Sequence, residues 1–284
     1  MADGKRADLH THTNRSDGVL EPVELIAKAA RARLVAIAVT DHDTTAAIDD
    51  AVDAGRDLGI EVVAGIEVST RTGNREIHLL GLFIDPNADV LAELSERQRR
   101  WRRERAEVLV ERAIHLGLDI DLERVDAIAA GAPIGRPHLA QVLLDAGNVR
   151  STQDAFDRYL GIGRPCWVAK QMIDTREAIA AIHLAGGAAV VAHPGSSRVR
   201  DKLLGELAAA GLDGVEVVHP RHPARRRHLV RGLCEKLGLL PSGGSDYHGP
   251  GRGDSRLGDH SISMGWCEEL RRRAKRHQAA SSAC

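Results

Sequence analysis

Aromatic side chains, charge of one sign and long apolar runs are all scarce in this chain of 284 residues. Because aromatic residues make up only 2% of the sequence, it offers few platforms on which single-stranded nucleic acid can stack. The formal net charge of −1 argues against binding of long nucleic acid by charge alone. No apolar run approaches the roughly 18 residues of a membrane span, and no basic-then-apolar leader opens the chain. We therefore expect a cytoplasmic protein that binds neither membranes nor long nucleic acid, and we infer no protein partner.

Paired cysteines are also missing from the sequence. No CxxC pair occurs, and the cysteines are scattered at Cys166, Cys234, Cys267 and Cys284. Such spacing predicts free thiols in a reducing compartment rather than disulfides or the ligands of a structural zinc site.

Short apolar runs do alternate with longer amphipathic stretches along much of the chain. Hydrophobic residues make up 43% and charged residues 28%, which suits a buried core and not a disordered chain. The apolar runs predict strands at residues 7–12, 34–42, 61–69, 76–84, 188–194 and 214–220. The stretches at 22–32, 44–59, 175–187 and 201–212 predict helices. This order, with runs apolar on both faces, predicts an α/β fold in which helices cover a parallel sheet.

The alternation breaks between about residues 88 and 170, where the patterns are mainly helical. We therefore expect a discontinuous barrel domain at 1–87 and 171–265, interrupted by a helical insertion at 88–170 that covers the active site. Residues 266–284 are predicted to form a C-terminal helix or tail with a frayed end.

Metal-type side chains recur where the predicted strands end. The residues that share this position are His10, His12, His42, Glu67, His193, His219, Asp246 and His248. His78 is the exception, because it lies near the start of its strand. In a barrel of parallel strands the carboxyl ends open on one face, where sites are built, so these side chains are expected to cluster.

Each of these signals is weak when it is taken alone. The pair in "HTH" points both imidazoles to one side of a strand, which suits a chelate or a hydrogen-bonded core pair equally well. Asp17 in "SDG" is more often a turn residue, and Asp43 in "TDHD" is a good helix N-cap. Glu67 lies in an apolar run, where an unpaired carboxylate is costly and a metal or arginine partner is expected.

The joint pattern is much stronger than its parts. Imidazoles mixed with carboxylates, and no cysteine, suit manganese, iron, zinc or magnesium. Nine candidate ligands exceed the four to six that one ion uses, so two or three ions are expected: His10, His12, Asp17, His42, Glu67, His78, His193, Asp246 and His248.

The motifs "DLHTHT", "SDG", "TDHD", "GIE", "EIHLLG", "AHP" and "SDYHG", in this order, resemble those of the PHP (polymerase and histidinol phosphatase) superfamily. The resemblance runs from residue 7 to about residue 250 and implies a distorted (β/α)7 barrel with a mainly helical insertion. "GRPHLAQVLLDAG" and "FDRYLGIGRP" further resemble a branch of bacterial phosphoesterases that carry such an insertion. Members of that branch remove the 3′-phosphate from nucleoside 3′,5′-bisphosphates, and some trim short RNA from the 5′ end.

The resemblance also implies roles for single residues. The ions would be held in three sets: His10, His12, Glu67 and Asp246; Glu67, His78 and His248; and Asp17, His42 and His193. Manganese is the favoured metal, with zinc, iron(II) and magnesium as alternatives. Family histidinol phosphatases often have a histidine where this chain has Asp17, which leaves Asp17 able to exchange protons with reacting groups. We expect Asp17, His42 and His193 to be catalytic, with a hydroxide that bridges two metals attacking phosphorus.

Arginines of the predicted insertion are candidates for binding a second phosphate. Arg102 and Arg103 continue the apolar stripe of their helix backwards, although a surface arginine cluster is the equal alternative. Arg136 and His138 in "GRPH" can join them, and the alternative there is a helix that begins at a proline. Arg221 follows His219 at a strand end and would point over the same face.

The resulting hypothesis is a metal-dependent phosphatase that acts on nucleoside 3′,5′-bisphosphates such as adenosine 3′,5′-bisphosphate. The alternatives are a 5′-to-3′ exoribonuclease on short RNA, a phosphomonoesterase like histidinol phosphatase, and a metal-binding module without activity. The complete set of nine ligands argues against the inactive module.

Overall fold

The computed structural model describes residues 4–194, 201–252 and 255–281. Within this part of the chain there are two compact units. The first contains the residues up to Leu94 and those from Ile173 onward, and the second is Ser95–Met172. No helix among the described residues is long and apolar enough to cross a membrane.

A barrel-like sheet forms the centre of the first unit. Its strands in chain order are β1 (Arg6–Asp8), β2 (Ala36–Val39), β3 (Glu61–Thr72), β4 (Arg75–Leu82), β5 (Ile173–Asp174), β6 (Ala188–Val191), β7 (Gly214–Val218), β8 (Leu240–Gly243) and β9 (Ile262–Ser263). Neighbours follow the order β8-β7-β6-β4-β3-β2-β1-β9, and β5 pairs with β3. Leu9 N donates to Gly243 O (3.2 Å) and Asp246 N to His10 O (2.9 Å), so the end of β8 returns to the first strand and the sheet nearly closes.

The prediction of a parallel sheet is wrong at two strands: β4 runs antiparallel to both β3 and β6, and the edge strand β9 runs antiparallel to β1. For β4 the cause is local, because β3 and β4 are joined by a tight hairpin at Gly73 and Asn74, where Gly73 has φ +57°. The antiparallel direction brings the start of β4 to the rim where the parallel strands end. His78 therefore lies at that rim, and its position is no exception.

Helices cover the sheet in the first unit and make up most of the second. Those of the first unit are α1 (Pro22–Arg31), α2 (Ile48–Leu58), α7 (Thr175–Leu184), α8 (Asp201–Ala209), α9 (Ala224–Leu237) and α10 (Met264–Ser281). Those of the second are α4 (Leu122–Ala129), α5 (Arg136–Asp145), α6 (Thr152–Ala155) and a π-helical turn (Phe156–Leu160), while α3 (Asp89–His115) runs across the division. The start of α1 has a proline in its first turn and Glu24 accepting from Glu21 N (3.1 Å), which satisfies a free helix donor.

The C-terminal segment is a packed helix over most of its length. Cys267, Leu270 and Ala274 of α10 are buried in the same apolar cluster as the first strands of the sheet. The second unit has an apolar cluster of its own, which includes Cys166. Cys166, Cys234 and Cys267 are free thiols, as predicted, and Cys284 lies outside the described residues.

Gly244 allows the closest approach between the end of β8 and the first strand. A Cβ at this position would lie 2.5 Å from both the backbone nitrogen and the Cβ of His10. We expect Gly244→Ala to lower the free energy of unfolding by about 1–3 kcal/mol or more, because backbone must move to admit the methyl group. The measurement is urea denaturation.

Gly232→Ala in α9 is the matched control, since nothing lies within 4 Å of a Cβ there. This control is expected to stabilise the protein by about 0.5–1 kcal/mol through helix propensity. Equal effects of the two substitutions would contradict the packing argument.

Candidate metal centre

The predicted strand-end residues come together at the rim where the parallel strands end. Positions that follow a strand carry His10 and His12 after β1, His42 after β2, His193 after β6, and Asp246 and His248 after β8, while Glu67 and His78 belong to β3 and β4. Three non-glycine residues of this rim have left-handed backbone conformations: Asp43 (φ +54°), His193 (φ +32°) and Asp246 (φ +51°). Such strain costs about 1–3 kcal/mol per residue and is typical of functional sites.

Four side chains form a compact group in the buried part of the site. Five of the six distances among His10 Nε2, His12 Nε2, Glu67 Oε2 and Asp246 Oδ1 lie between 3.1 and 3.3 Å, and all four atoms lie within 4.8 Å of one another. Zinc binds imidazole nitrogen and carboxylate oxygen at about 2.0–2.2 Å, so ligands of one zinc ion lie at such distances from one another. The group is therefore a candidate site for one divalent ion.

Glu67 is shared between this group and a second one. His78 Nδ1 and His193 Nε2 lie 2.8 and 2.9 Å from its Oε1, whereas His42 Nδ1 lies 3.2 Å from its Oε2. The carboxylate is 1% exposed. Its two oxygens thus face different sets of imidazoles, which is the arrangement of a carboxylate that bridges two ions.

Asp17 centres a third group on the more exposed side of the rim. His248 Nε2 lies 3.2 Å from Asp17 Oδ1, and His42 Nε2 lies 3.8 Å from Asp17 Oδ2. His12 completes this set, whose ligand atoms all lie within 4.8 Å of one another.

Two histidines lie in different groups from those that the resemblance implied. His193 joins His78 at Glu67, and His248 joins Asp17 and His42. The strand order is the cause: β6 is the neighbour of β4, whereas the end of β8 lies beside the first strand. All nine predicted ligands nevertheless converge on one rim.

The donor set fits divalent ions better than it fits hydrogen bonding alone. His42 Nδ1 and Asp17 Oδ1 are buried, and they lie 3.2 Å from Glu67 Oε2 and from His248 Nε2, respectively. Neither atom has a hydrogen bond within the described part of the chain. Buried polar atoms rarely stay unpaired, so a ring nitrogen and a carboxylate oxygen this close without a hydrogen bond are expected where both bind one cation.

The electrostatics of the site follow from its close mixture of carboxylates and imidazoles. Burial by itself raises the pKa of Glu67, but the surrounding imidazoles hold that pKa well below its usual range. Burial lowers the pKa of His12, yet hydrogen bonds with Asp246 and Glu67 outweigh it and raise the pKa to about 10. For His42 burial dominates and lowers the pKa to about 3, so its ring is neutral and available as a ligand.

Glu216 is a functional residue that sequence reasoning missed. Its Oε1 lies 3.0 Å from His10 Nδ1, and its Oε2 accepts a hydrogen bond from His193 N (2.6 Å). The carboxylate is fully buried, and through it one side chain of β7 orients ligands that follow two other strands. The available signal was a glutamate within the apolar run "GVEVV", the same signal that drew attention to Glu67.

Two further carboxylates and His219 contact the loops and side chains of the rim. Asp41 accepts from Thr13 N (2.8 Å) and Thr13 Oγ1 (2.6 Å), and so holds the loop that carries Asp17. Asp8 accepts from Ser245 N (2.8 Å), next to Asp246. His219 Nε2 lies 3.3 Å from Asp246 Oδ2. Such outer partners set the orientation of metal ligands and the basicity of their rings.

The second unit contains most of the residues predicted to bind substrate. Arg102 Nη1 donates to Ile134 O (3.4 Å), and Arg136 Nη1 donates to Leu160 O (3.0 Å). Both guanidinium groups are partly buried in that unit. Their role toward substrate stays a prediction.

The remaining predicted substrate contacts have other local environments. Arg103 pairs with Glu107 (3.2 Å) and with Asp126, which is the surface arrangement weighed as the alternative. His138 Nδ1 accepts from Gly135 N (3.2 Å) at the start of α5, where a proline lies in the first turn, which is the helix start weighed as the alternative. Arg221 belongs to the first unit and is exposed.

Comparisons with known proteins identify the family of this chain. The sequence pattern of the PHP domain family matches residues 8–162. The 5′-3′ exoribonuclease Rnm of Escherichia coli (strain K12) is 35% identical over 249 residues, which are 86% of this chain and 85% of the relative. The 3′,5′-nucleoside bisphosphate phosphatase of Chromobacterium violaceum is 34% identical over 263 residues, 88% of this chain and 90% of the relative.

A solved structure extends the likeness to the fold. A protein of Bifidobacterium adolescentis, provisionally described as a metal-dependent phosphoesterase, superposes with a TM-score of 0.88 at 31% identity, over 96% of this chain and 98% of that one. The barrel, the clustered imidazoles and carboxylates, and these likenesses confirm the resemblance seen in the sequence. The chain belongs to the PHP domain family and is a metal-dependent phosphoesterase.

Proposed function

We propose that this enzyme removes the 3′-phosphate from nucleoside 3′,5′-bisphosphates such as adenosine 3′,5′-bisphosphate. The observation that carries the proposal is the Glu67 carboxylate, whose two oxygens face two sets of imidazoles at 2.8–3.3 Å. Such a site can hold more than one ion against a phosphate ester. The likeness to a bisphosphate phosphatase over 88% of the chain supports this substrate.

The proposed cofactor is two or three divalent ions, with manganese favoured. The sets that would hold them are His10, His12, Glu67 and Asp246; Glu67, His78 and His193; and Asp17, His42 and His248. When bound, such ions lower the pKa of a coordinated water toward neutrality and neutralise phosphate oxygens. The proposed ion is manganese, and the proposed location is the cytoplasm.

The exposure of the ligands gives the direction from which substrate arrives. The side chains of His10, His12 and Glu67 are at most 1% exposed, whereas those of Asp17 and His42 are 26% and 18% exposed. The side chains of His78 and His248 are 20% and 22% exposed, so a phosphate that enters from solvent meets these outer side chains and Asp17 before the buried ones. We retain Asp17, His42 and His193 as the residues proposed to act in catalysis.

Arg102 and Arg136 are proposed to bind the 5′-phosphate of the substrate. Their guanidinium groups are partly buried, so each has lost part of its hydration and gains more from an anion than an exposed arginine does. Arg103 is a weaker candidate, because two carboxylates already neutralise it.

The alternative function is 5′-to-3′ exoribonuclease activity on short RNA. The observation in its favour is the 35% identity to such an exoribonuclease over 86% of the chain. The chemistry at the rim is the same for both substrates, since each reaction cleaves a phosphate ester. Histidinol phosphate is a third candidate substrate, which the presence of Asp17 disfavours.

Glu67→Gln is expected to reduce phosphatase activity far more than Glu216→Gln does. Glu67 is a shared ligand, so its loss affects two ion sites, whereas Glu216 only orients ligands and its loss is expected to cost about 10- to 100-fold. The measurements are steady-state kinetics and metal content per chain. Glu235→Gln, at an exposed position of α9, is the control and should leave both values unchanged. Full metal content and activity in Glu67→Gln would contradict the proposed site.

Arg102→Ala and Arg136→Ala are each expected to raise KM for adenosine 3′,5′-bisphosphate by about 10- to 100-fold, because a hydrogen bond to a charged group is lost. KM for adenosine 3′-monophosphate, which lacks the 5′-phosphate, should change by less than about twofold. Arg231→Ala in α9 serves as the control for charge alone. Equal changes in KM for both substrates would show that these arginines do not bind the 5′-phosphate.

The experiment that tests the function is phosphate release by manganese-loaded enzyme from adenosine 3′,5′-bisphosphate, 5′-AMP, histidinol phosphate and a 5′-phosphorylated trinucleotide. We expect rapid release from the bisphosphate with 5′-AMP as the product, left intact. Mononucleotides released from the trinucleotide, together with slow turnover of the bisphosphate, would establish the exoribonuclease function.

A further inference from the structure

The rim that carries the nine candidate ligands is called the catalytic rim below. A second cluster of metal-type side chains lies at the opposite end of the strands. His183 belongs to α7, Asp213 immediately precedes β7, and His277 belongs to α10. Since β7 ends at the catalytic rim, a residue at its beginning lies at the other end of the sheet. None of the three residues belongs to the nine candidate ligands or to their supporting partners.

The geometry of this cluster is that of a carboxylate approached by two imidazoles. His183 Nε2 lies 2.8 Å from Asp213 Oδ2, and His277 Nε2 lies 3.1 Å from Asp213 Oδ1. The two rings are stacked, with centroids 3.7 Å apart and an angle of 13° between their planes. The potential ligand atoms all lie within 4.8 Å of one another, and the stacked rings must turn about their side-chain bonds for both Nε2 atoms to face one ion.

Burial and hydrogen bonding prepare the carboxylate for this role. Asp213 is 1% exposed, and its oxygens also accept from Ala189 N (2.9 Å) and Arg273 Nη1 (3.2 Å). These outer contacts fix its orientation, as they do for ligating carboxylates elsewhere. The side chains of His183 and His277 are 22% and 23% exposed, which leaves a path for an ion and room for water as a further ligand.

We propose that His183 Nε2, His277 Nε2 and the Asp213 carboxylate bind a zinc-type divalent transition-metal ion outside the catalytic site. Two imidazoles and one carboxylate with an open position are a common ligand set for zinc, whereas magnesium and calcium prefer sites built of oxygen. The ion replaces the hydrogen bonds between the two rings and the carboxylate. It links α7, the start of β7 and α10, and so fastens the C-terminal helix to the barrel.

The test uses manganese-loaded enzyme that is then exposed to zinc and freed of excess metal. The double variant His183→Gln/His277→Gln is expected to retain about one zinc ion fewer per chain than the wild type, with phosphatase activity unchanged. Zinc should raise Tm by about 5 °C more in the wild type than in the variant, because any zinc bound at the catalytic site is common to both. His228→Gln, an exposed histidine of α9, is the control and should behave as the wild type. Equal zinc content and an equal Tm shift in wild type and double variant would overturn the proposal.

Arg273→Gln provides a second test that does not remove a ligand. The guanidinium competes with a cation for Asp213, so this substitution is expected to tighten zinc binding by about tenfold. Unchanged or weaker zinc binding in Arg273→Gln would overturn the proposal even if the double variant did not fold.

Discussion

The buried carboxylate of Glu67 is the interaction on which the rest of the catalytic rim depends. Five imidazoles that belong to or follow four different strands lie within 3.3 Å of its two oxygens: His10, His12, His42, His78 and His193. An unpaired carboxylate at this depth would strongly destabilise the fold. The fold must therefore bring the imidazoles to the carboxylate. The nearly closed sheet does this, because each of these rings belongs to a strand or directly follows one.

The hairpin between β3 and β4 brings a second set of imidazoles to Glu67. β4 is antiparallel to its neighbours, which places His78 opposite Ser69 and within 2.8 Å of the carboxylate. If β4 were parallel to its neighbours, its first residues, and with them His78, would lie at the other end of the barrel. One reversed strand thus supplies the second set of imidazoles, and the outer carboxylate of Glu216 holds His10 and His193 in register with it.

The two metal-type clusters of the barrel differ in what their surroundings permit. The catalytic rim contains several carboxylates and many imidazoles, with a partly exposed side at Asp17 from which a phosphate can approach. The cluster at Asp213 has one carboxylate, two stacked imidazoles and an arginine that keeps the local charge close to neutral. The first arrangement suits chemistry on an anionic ester, and the second suits an ion that stabilises the attachment of a helix.

The sequence by itself determined which side chains form the catalytic rim, because chemistry-bearing residues at strand ends are a local pattern. All nine predicted ligands lie there, and the α/β barrel with free cysteines at the three described positions is as expected. Only the tertiary structure decided which of these side chains are neighbours. His193 lies beside His78 because β6 pairs with β4, and His248 lies beside Asp17 because the end of β8 returns to the first strand. It also placed Glu216 and the Asp213 cluster, whose members are distant along the chain. Partners across a closed sheet are set by strand order and direction, and short-range sequence patterns do not encode either of them.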